Sequence, residues 1–378
     1  MIKFHSLLII FCLFSISAFS QQFNLTLEHD GVTRTYHLYV SPTYDSTVPT
    51  SLIVNHHGAT SNGPQQMLFS NMTVVADTAN FMMAFPDGIN NVWNSGFQQP
   101  FNSGVDDVGY ISSLIQYLGT QYNIDPAKVY SCGMSNGGFQ SFRLACELED
   151  KIAAIASVTG SMADSVGHYC QTNKSVPLLQ IFGDADPTVD YNGLPFGYRG
   201  QDSLIAWWRD KNNCGALSAS DTFPDIDTTD DSRVVYYQYN NCDNGSEVWF
   251  YKVLNGGHSW PGSPINVGTT NHDIQAGDEI WKFFRRHSHP NPATSISEID
   301  KPELAIMFQN PFSGDFKLTS LSEEALRADV YDLTGRQLYS NELLAGENSL
   351  ETSQLTNGIY ILVIHRGNYS YNYQILKQ

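Results

Sequence analysis

Apolar and polar residues alternate along two stretches near the N-terminal end of the chain, over positions 23–28 and 33–40. A period of two is typical of a strand that buries one face. Asp30 and Gly31 lie between the two stretches, and an Asp-Gly pair favours the tight turn of a hairpin. The pattern therefore predicts a β-hairpin.

The pattern then changes to short, continuous apolar runs that are separated by stretches of helical length. Strands that are buried on both faces have this continuous character, and their alternation with helices indicates a mostly parallel sheet. We therefore predict an α/β fold whose central sheet is covered on both faces. The apolar runs are 51–57, 81–85, 128–132, 152–158 and 176–182. One intervening helix is expected over 105–122, with Val108, Ile111, Leu114, Ile115 and Leu118 on its apolar face.

Beyond the end of a last expected helix at Arg286, the composition becomes polar and rich in proline, which suits a linker. From about residue 302 the pattern is all-β and predicts a small β-sandwich. Its apolar runs are 316–318, 328–332, 359–364 and 373–376, with turns at 334–336 and 357–358. We expect the scattered histidines His287, His289 and His365 at solvated linker or surface positions rather than at a metal.

Residues 1–20 predict a secretory signal peptide, because Lys3 precedes an apolar run over 7–14 and small residues lie at the expected cleavage site. This run is too short to span a bilayer, so we expect no stable membrane span. The predicted domains are thus a signal peptide over 1–20, a catalytic domain over 21–286, a linker over 287–301 and a β-sandwich over 302–378.

Charge and cysteine content narrow the possibilities further. The net charge of −18 makes nucleic acid an unlikely partner, since both would be anionic. Cys12 lies in the signal peptide, so an odd number of cysteines remains, which suggests two disulfides and a free Cys132 in a buried strand. Pairs that keep the closed loops local are Cys146 with Cys170 and Cys214 with Cys242, although other connectivities stay open. None of the cysteine spacings is C-x-x-C, so the sequence does not favour a zinc site.

The strongest chemical signal is the sequence Gly-Met-Ser-Asn-Gly-Gly over 133–138, directly after an apolar run. A strand that ends in a sharp turn flanked by glycines lifts a serine hydroxyl above a sheet, where a base and a substrate both reach it. The small flanking residues allow backbone segments to approach closely. We therefore predict that Ser135 is a catalytic nucleophile.

A serine hydroxyl needs a histidine to take its proton and a carboxylate to orient that histidine, and on this fold they follow in the order Ser, Asp or Glu, His. Asp186 follows an apolar strand and is our choice for the acid; Asp184 and Asp190 are the alternatives. His258 lies on a glycine-flanked loop and is our choice for the base, ahead of His272.

A tetrahedral intermediate also needs two N–H donors that point at its oxygen. One is expected from Asn136, the residue after the nucleophile, and the other from the loop after the third strand. Ala59 is the best candidate in that loop, where Gly58 permits a close approach and His57 is expected to brace the loop rather than to catalyse.

Five segments together resemble the polyhydroxybutyrate depolymerase and feruloyl esterase group of α/β-hydrolases, over about residues 33–286. They are 57–59, 105–110, 129–138, 183–189 and 257–262. The resemblance implies a triad of Ser135, Asp186 and His258, and it supports a disulfide between Cys214 and Cys242. Phe182 departs from the pattern, because relatives often carry histidine at that position.

The tail resembles the C-terminal sorting domain of the type IX secretion system. The similarity rests on 310–312, 330–336, 355–360 and 374–377. It implies export to the cell surface or beyond, with the type IX secretion machinery as a partner. An accessory β module that binds carbohydrate is the alternative, since small β-sandwiches serve many functions.

Together these features predict a secreted serine esterase that acts on polymer-linked or small esters, with no cofactor and no metal. Feruloyl or acetyl esters of plant polysaccharide and polyhydroxybutyrate-type polyesters are the candidate substrates. Trp93 and Trp260 are candidates for an aromatic wall that contacts the substrate, with buried packing as the alternative for each. The acidic run over 221–231 lacks regular calcium-ligand spacing and is expected to be a solvated loop. The alternative function is a non-catalytic surface or polymer-binding protein on a hydrolase fold.

Overall fold

The computed structural model describes residues 21–97, 104–170, 174–290, 306–308, 310–320, 325–332, 336–366 and 369–377. The predicted signal peptide over 1–20 therefore lies outside the described residues, as do positions 291–301 of the predicted linker. The turn predicted at 334–336 is described only at its last residue.

Among the described residues up to 290, the N-terminal part contains twelve strands and seven α-helices. The strands are β1 (Gln21–His29), β2 (Val32–Val40), β3 (Thr50–His56), β4 (Phe81–Pro86), β5 (Ile124–Met134), β6 (Ala154–Val158), β7 (Leu178–Gly183), β8 (Gly193–Leu194), β9 (Tyr198–Arg199), β10 (Ala219–Thr222), β11 (Arg233–Tyr239) and β12 (Val248–Leu254). The helices are α1 (Gly63–Ser70), α2 (Met72–Ala79), α3 (Asp107–Gln121), α4 (Asn136–Glu147), α5 (Asp164–Tyr169), α6 (Gln201–Lys211) and α7 (Ala276–Phe284).

Ten of these strands form one mixed sheet in the order β1-β2-β4-β3-β5-β6-β7-β12-β11-β10. The central run from β4 to β12 is parallel, and the strands at both edges are antiparallel. Along β3, Leu52 and Val54 pack into one apolar core and Ile53 into another. The sheet is thus covered on both faces by helices, and the predicted α/β fold of the hydrolase type is confirmed.

The predicted hairpin and the predicted helix also form. Strand β1 pairs with β2 along its whole length, and both turn residues, Asp30 and Gly31, have positive φ angles of 50° and 73°. This conformation is that of a type I′ turn. Helix α3 begins two residues later than expected, because the Asp106 carboxylate accepts a hydrogen bond from the Gly109 N–H and caps the helix there.

The position of the functional loops follows from the parallel strands. Strands β5, β6, β7 and β12 are neighbours that run in one direction, so their carboxyl ends meet at one edge of the sheet. Ligand sites of open α/β sheets lie outside this edge. The loops that carry Ser135, Asp186 and His258 follow β5, β7 and β12 and are therefore gathered there. We call it the catalytic edge.

The C-terminal part consists of two antiparallel sheets that share one apolar core. The first contains β13 (Ile306–Phe308), β14 (Phe316–Ser320) and β17 (Gly346–Leu350), and the second contains β15 (Leu326–Tyr331), β16 (Gln337–Leu343), β18 (Gly358–Arg366) and β19 (Tyr369–Lys377). Phe316 and Leu318 from the first sheet pack in the same core as Val330 and Leu362 from the second. The small β domain expected from the sequence is thus present.

Cysteines and histidines give one confirmed expectation and one correction. Disulfides join Cys146 to Cys170 and Cys214 to Cys242, and Cys132 is free and buried. The expectation that His287 and His289 are solvated is wrong. The Tyr130 hydroxyl donates a hydrogen bond to the His287 carbonyl at 2.7 Å, and the His289 N–H donates to the Ala127 carbonyl at 2.8 Å, so both histidines are buried against the α/β body.

Candidate active site

Ser135 occupies the sharp turn between β5 and α4. Its backbone angles are φ 53° and ψ −121°, a conformation that residues with a side chain rarely adopt. The Ser135 N–H donates a hydrogen bond to the Val158 carbonyl at 2.9 Å, which fixes the turn to the neighbouring strand β6. Backbone strain of this kind persists where the surrounding structure enforces it and is concentrated at functional sites.

The glycines around Ser135 are needed for close backbone approach. A Cβ atom at Gly137 would overlap the carbonyl oxygen of His56, and one at Gly133 would overlap the backbone of Gly137. The small residues that the sequence places beside the serine therefore let the end of β3 and the first turn of α4 come together.

Asp186 and His258 lie in direct contact. His258 Nδ1 is 2.7 Å from Asp186 Oδ2, and the other carboxylate oxygen of Asp186 accepts hydrogen bonds from the N–H groups of Thr188 and Val189 at 2.8 and 2.9 Å. The Asp186 side chain is buried, whereas the imidazole retains some exposure. An oriented carboxylate with a partly accessible imidazole is the arrangement that a general base requires.

The alternative acids and the alternative base lie elsewhere. Asp184 accepts a hydrogen bond from the Asn255 N–H at 2.7 Å, which ties the loop after β7 to the loop after β12. Asp190 accepts the N–H of Asn192. His272 Nε2 lies 2.9 Å from the side-chain oxygen of Asn266. None of these side chains is hydrogen-bonded to His258 or Asp186 among the described residues.

Ser135 shares the catalytic edge with His258, but no hydrogen bond joins the two side chains among the described residues. The hydrogen bond between the Ser135 hydroxyl and His258 Nε2, through which a proton would be transferred, is therefore not formed in this structure. Such contacts are often long in unliganded enzymes and shorten when the substrate binds.

The predicted oxyanion donors, Asn136 and Ala59, lie on segments next to the same turn. Ser135 precedes the first turn of α4 and provides no side-chain cap, so the N–H of Asn136 is left at a helix N-terminus, a position that favours negative charge. A Cβ at Gly58 would lie 3.4 Å from the Ser135 Cβ, which brings the loop containing Ala59 beside the nucleophile. Among the described residues, neither the Asn136 N–H nor the Ala59 N–H has an acceptor.

His57 braces this loop, as expected. Its Nδ1 lies 2.7 Å from the Gly58 carbonyl oxygen, and its Nε2 accepts a hydrogen bond from the Gly88 N–H at 2.9 Å. Nδ1 therefore carries the proton, and the ring is neutral. Burial lowers the pKa of His57 and lowers that of the fully buried His56 to about 3.

The side chain of Asn136 has a contact that the sequence did not reveal. Its Oδ1 accepts a hydrogen bond from the Trp93 N–H at 2.7 Å, and its Nδ2 donates to the Ser95 Oγ at 3.0 Å. The Trp93 indole N–H in turn donates to the His57 carbonyl at 3.0 Å. Asn136, Trp93 and His57 thus connect the first turn of α4 to the loop with Ala59; we call them the loop clamp.

A buried ion pair holds Asn94, the residue that follows Trp93 of the loop clamp. Arg34 Nη2 donates to Asp107 Oδ1 at 2.7 Å, and Asp107 Oδ2 accepts the Asn94 N–H at 2.6 Å. Burial raises the pKa of Asp107, while the bonds from Asn94 and Arg34 oppose that shift. The sequence placed Asp107 in a recognisable segment but suggested no role for it, and it gave no sign that Arg34 in an alternating hairpin would be buried.

Trp93 and Trp260 do not form an aromatic wall for substrate. Both side chains are 0% exposed. Trp93 packs against the rings of His56 and His57, with ring centroids 5.1 and 5.0 Å apart, and Trp260 lies in the core beside α7. The residue type left substrate contact and buried packing open for both tryptophans, and the fold places both in the interior.

The chain is similar in sequence to several esterases. The chain is 27% identical to "Putative esterase NocK" of Nocardia uniformis subsp. tsuyamanensis, over 67% of this chain and 80% of that protein. It is 24% identical to the bifunctional acetylxylan esterase/xylanase XynS20E of Neocallimastix patriciarum and 27% identical to feruloyl esterase B of Piromyces equi, over 70% and 57% of this chain. It spans only 35% and 40% of those two proteins.

Two further matches concern the fold and the tail. The structure of an acetyl xylan esterase from Aspergillus awamori aligns with a TM-score of 0.50 at 14% identity, over 70% of this chain and 99% of that one, which shows a shared fold. Residues 306–378 match the family described as Secretion system C-terminal sorting domain. The chain is thus a relative of esterases that carries a type IX secretion sorting domain.

The sorting domain indicates where the protein is exported. Type IX secretion takes the protein to the cell surface or the extracellular space, and the secretion machinery is accordingly a partner. The family match indicates sorting rather than the alternative role of an accessory carbohydrate-binding module. Within the described part of the chain, no helix has both the length and the apolar character needed to cross a membrane.

Proposed function

We propose that this protein is a secreted serine carboxylic-ester hydrolase that acts through an acyl-enzyme. The observation that carries the proposal is the 2.7 Å contact between His258 and Asp186, at the sheet edge where the strained turn presents Ser135. The esterase relatives support carboxylic ester hydrolysis as the class of reaction.

In the proposed mechanism, His258 Nε2 takes the proton of the Ser135 hydroxyl while its oxygen attacks the ester carbonyl carbon. Asp186 holds Nδ1–H and stabilises the imidazolium that forms. Collapse of the tetrahedral intermediate breaks the bond to the alcohol, which leaves with the proton from His258. Water, activated by the same histidine, then attacks the acyl-enzyme, releases the acid and restores the serine.

The developing negative charge on the carbonyl oxygen is assigned to the N–H groups of Asn136 and Ala59. Two features support this assignment: the position of Asn136 at the start of α4, and the close approach of Gly58 to Ser135. Fixed donors of this kind contribute strongly to catalysis because they need no reorganisation during the reaction. The loop clamp holds one donor relative to the other.

Esters linked to an extracellular polymer are the proposed substrates. The names of two relatives point to feruloyl esters and to acetylated xylan, whereas no relative described above names a polyester. Feruloyl or acetyl esters of plant polysaccharide are therefore placed ahead of polyhydroxybutyrate-type polymers. A polymer that is too large to import also suits an exported enzyme. Within this proposal the signal peptide covers 1–20, the hydrolase domain 21–286 and the sorting domain 302–378.

Hydrolysis of p-nitrophenyl acetate by the mature protein tests the proposal. The wild type and the control Ser203→Ala, which alters a serine on α6, are expected to be equally active. Ser135→Ala is expected to lose about 10³-fold or more in kcat. Equal rates for Ser135→Ala and the wild type would show that the elbow is structural.

A further inference from the structure

A short hairpin follows the acid loop at the catalytic edge and is hydrogen-bonded to the start of α5, where the Asp164 N–H donates to the Gly197 carbonyl at 3.0 Å. Strands β8 and β9 pair through Gly193 with Arg199 and Leu194 with Tyr198, and Pro195 and Phe196 lie at the tip. The Phe196 side chain is fully exposed, at 102% of its reference area, and its φ angle is 61°. A bulky residue in this conformation is an outlier.

The base of this hairpin contacts neighbours of the proposed catalytic residues. The ring of Tyr198 packs on that of Phe139 with centroids 5.4 Å apart, and the Phe139 N–H donates to the Ser135 carbonyl at 3.0 Å. The Tyr198 hydroxyl accepts a hydrogen bond from the Asp190 N–H at 2.9 Å, at the end of the loop that holds Asp186. The hairpin is therefore positioned relative to both the elbow and the acid loop.

Phe196 contributes nothing to the core from this position. A fully exposed ring gains no burial, and the left-handed backbone conformation is unfavourable for a residue with a bulky side chain. Leu194, beside it on the hairpin, is also exposed, as are Ile265 and Val267 on the loop that follows His258. Exposed apolar side chains on loops that follow β7 and β12 are candidates for contact with a ligand at this edge of the sheet.

We propose that Phe196 stacks on a sugar ring of the polysaccharide chain that carries the ester. This proposal rests on the proposed function and specifies where the polymer lies beyond the scissile bond. A ring that is accessible on its faces offers an apolar platform for the C–H face of a sugar. The acidic chain, with a net charge of −18, favours a neutral polymer over an anionic one.

Binding to arabinoxylan, measured by affinity electrophoresis in a Ser135→Ala background, tests this contact without turnover. Adding Phe196→Ala is expected to weaken retention about threefold to tenfold, the range for one aromatic contact. Phe196→Tyr is expected to restore it, because tyrosine keeps the ring. Val48→Ala is the control, since Val48 is exposed but precedes the amino end of β3, at the opposite edge of the sheet.

Four results would overturn the proposal. The first is unchanged retention of the Phe196→Ala protein, and the second is no retention of its Ser135→Ala parent. The third is a loss of p-nitrophenyl acetate hydrolysis in Phe196→Ala with Ser135 intact that equals the loss of arabinoxylan retention, since a small ester cannot use the contact and the hairpin would then be structural. The fourth is a loss of adsorption to poly(3-hydroxybutyrate) film with unchanged retention by arabinoxylan, which would identify a polyester as the occupant. A wild-type protein that does not hydrolyse p-nitrophenyl acetate would instead contradict the proposed esterase function, so the two failures are distinguishable.

Discussion

His258 Nδ1 and Asp186 Oδ2 lie 2.7 Å apart, although 72 positions separate the two residues in the sequence. Two backbone N–H groups, those of Thr188 and Val189, hold the other oxygen of Asp186, so the carboxylate has one orientation in which it meets the imidazole. The proton is thereby kept on Nδ1, which leaves Nε2 free to accept one. The contact defines the acid and the base of the proposed triad more sharply than chain order does.

Replacing Asp186 and Asp184 one at a time is expected to show which of the two carboxylates acts in catalysis. Asp186→Asn removes the charge that stabilises the imidazolium and favours the wrong tautomer, so kcat should fall about 10²–10⁴-fold. Asp184→Asn is the matched control, because Asp184 accepts the Asn255 N–H and has no hydrogen bond to His258 among the described residues. Steady-state kinetics with p-nitrophenyl acetate measures both. A larger loss of kcat in Asp184→Asn would reassign the acid.

The loop clamp is expected to affect catalysis and stability in different ways. Trp93→Phe keeps an aromatic ring but leaves the buried His57 carbonyl without its donor, which costs about 1–3 kcal/mol of stability. If the clamp positions Ala59, kcat should also fall while KM changes little. Trp208→Phe is the control, because the Trp208 indole donates to the Val176 carbonyl from an equally buried site. If Trp93→Phe and Trp208→Phe changed kcat equally, Trp93 would have no specific role in positioning Ala59.

The sequence was sufficient for the parts of the site that depend on local pattern. Glycines beside Ser135 are required by a turn that no larger residue fits, so their spacing is visible in the chain. Continuous apolar runs likewise reveal buried parallel strands. The choice among Asp184, Asp186 and Asp190 was different, because all three follow the same strand and only the direction of each side chain in the folded loop distinguishes them.

The incorrect expectations have a common physical origin. Trp93, Trp260, His287 and His289 are residue types that occur both in cores and at surfaces, so their identity does not determine their burial. His287 and His289 also follow the last helix in a polar, proline-bearing stretch, which resembles a linker. Their burial depends on contacts with Tyr130 and Ala127, far away in the chain, and no local pattern reports such contacts.

Acid stability is expected to depend on Glu247. Burial opposes ionisation of this carboxyl, but the nearby His287, the two hydrogen bonds from Arg286 and the positive charge of Arg286 outweigh it and lower its pKa from 4.5 to about 2. The unfolded chain then binds more protons between these values, so the stabilisation is complete above about pH 4.5 and is lost as the pH falls towards 2. Glu247→Gln should be less stable at pH 7 and should lose less stability on acidification.

Urea unfolding at pH 7, 4.5 and 3 measures this difference. The gap between the midpoints of the wild type and Glu247→Gln should narrow as the pH falls. A constant gap at all three values would show that Glu247 acts only through packing.

Thiol reactivity is expected to report the disulfide pattern. In the mature protein without reducing agent, Cys132 is the one free cysteine among the described residues, and burial raises the pKa of its thiol. Ellman's reagent should therefore detect no thiol in the folded protein and one after unfolding in urea. Peptide mapping should recover Cys146 with Cys170 and Cys214 with Cys242. Rapid labelling before unfolding, or more than one thiol after it, would contradict this arrangement.

Covalent labelling with a fluorophosphonate is the most direct test of Ser135 as the nucleophile. Such a reagent phosphonylates an activated serine and displaces fluoride, and the tetrahedral adduct occupies the proposed oxyanion site. We expect one adduct per molecule in the intact mass, located to the peptide that contains Ser135, with complete loss of ester hydrolysis. An adduct on another residue, or an active enzyme in which Ser135 is fully labelled, would contradict the mechanism.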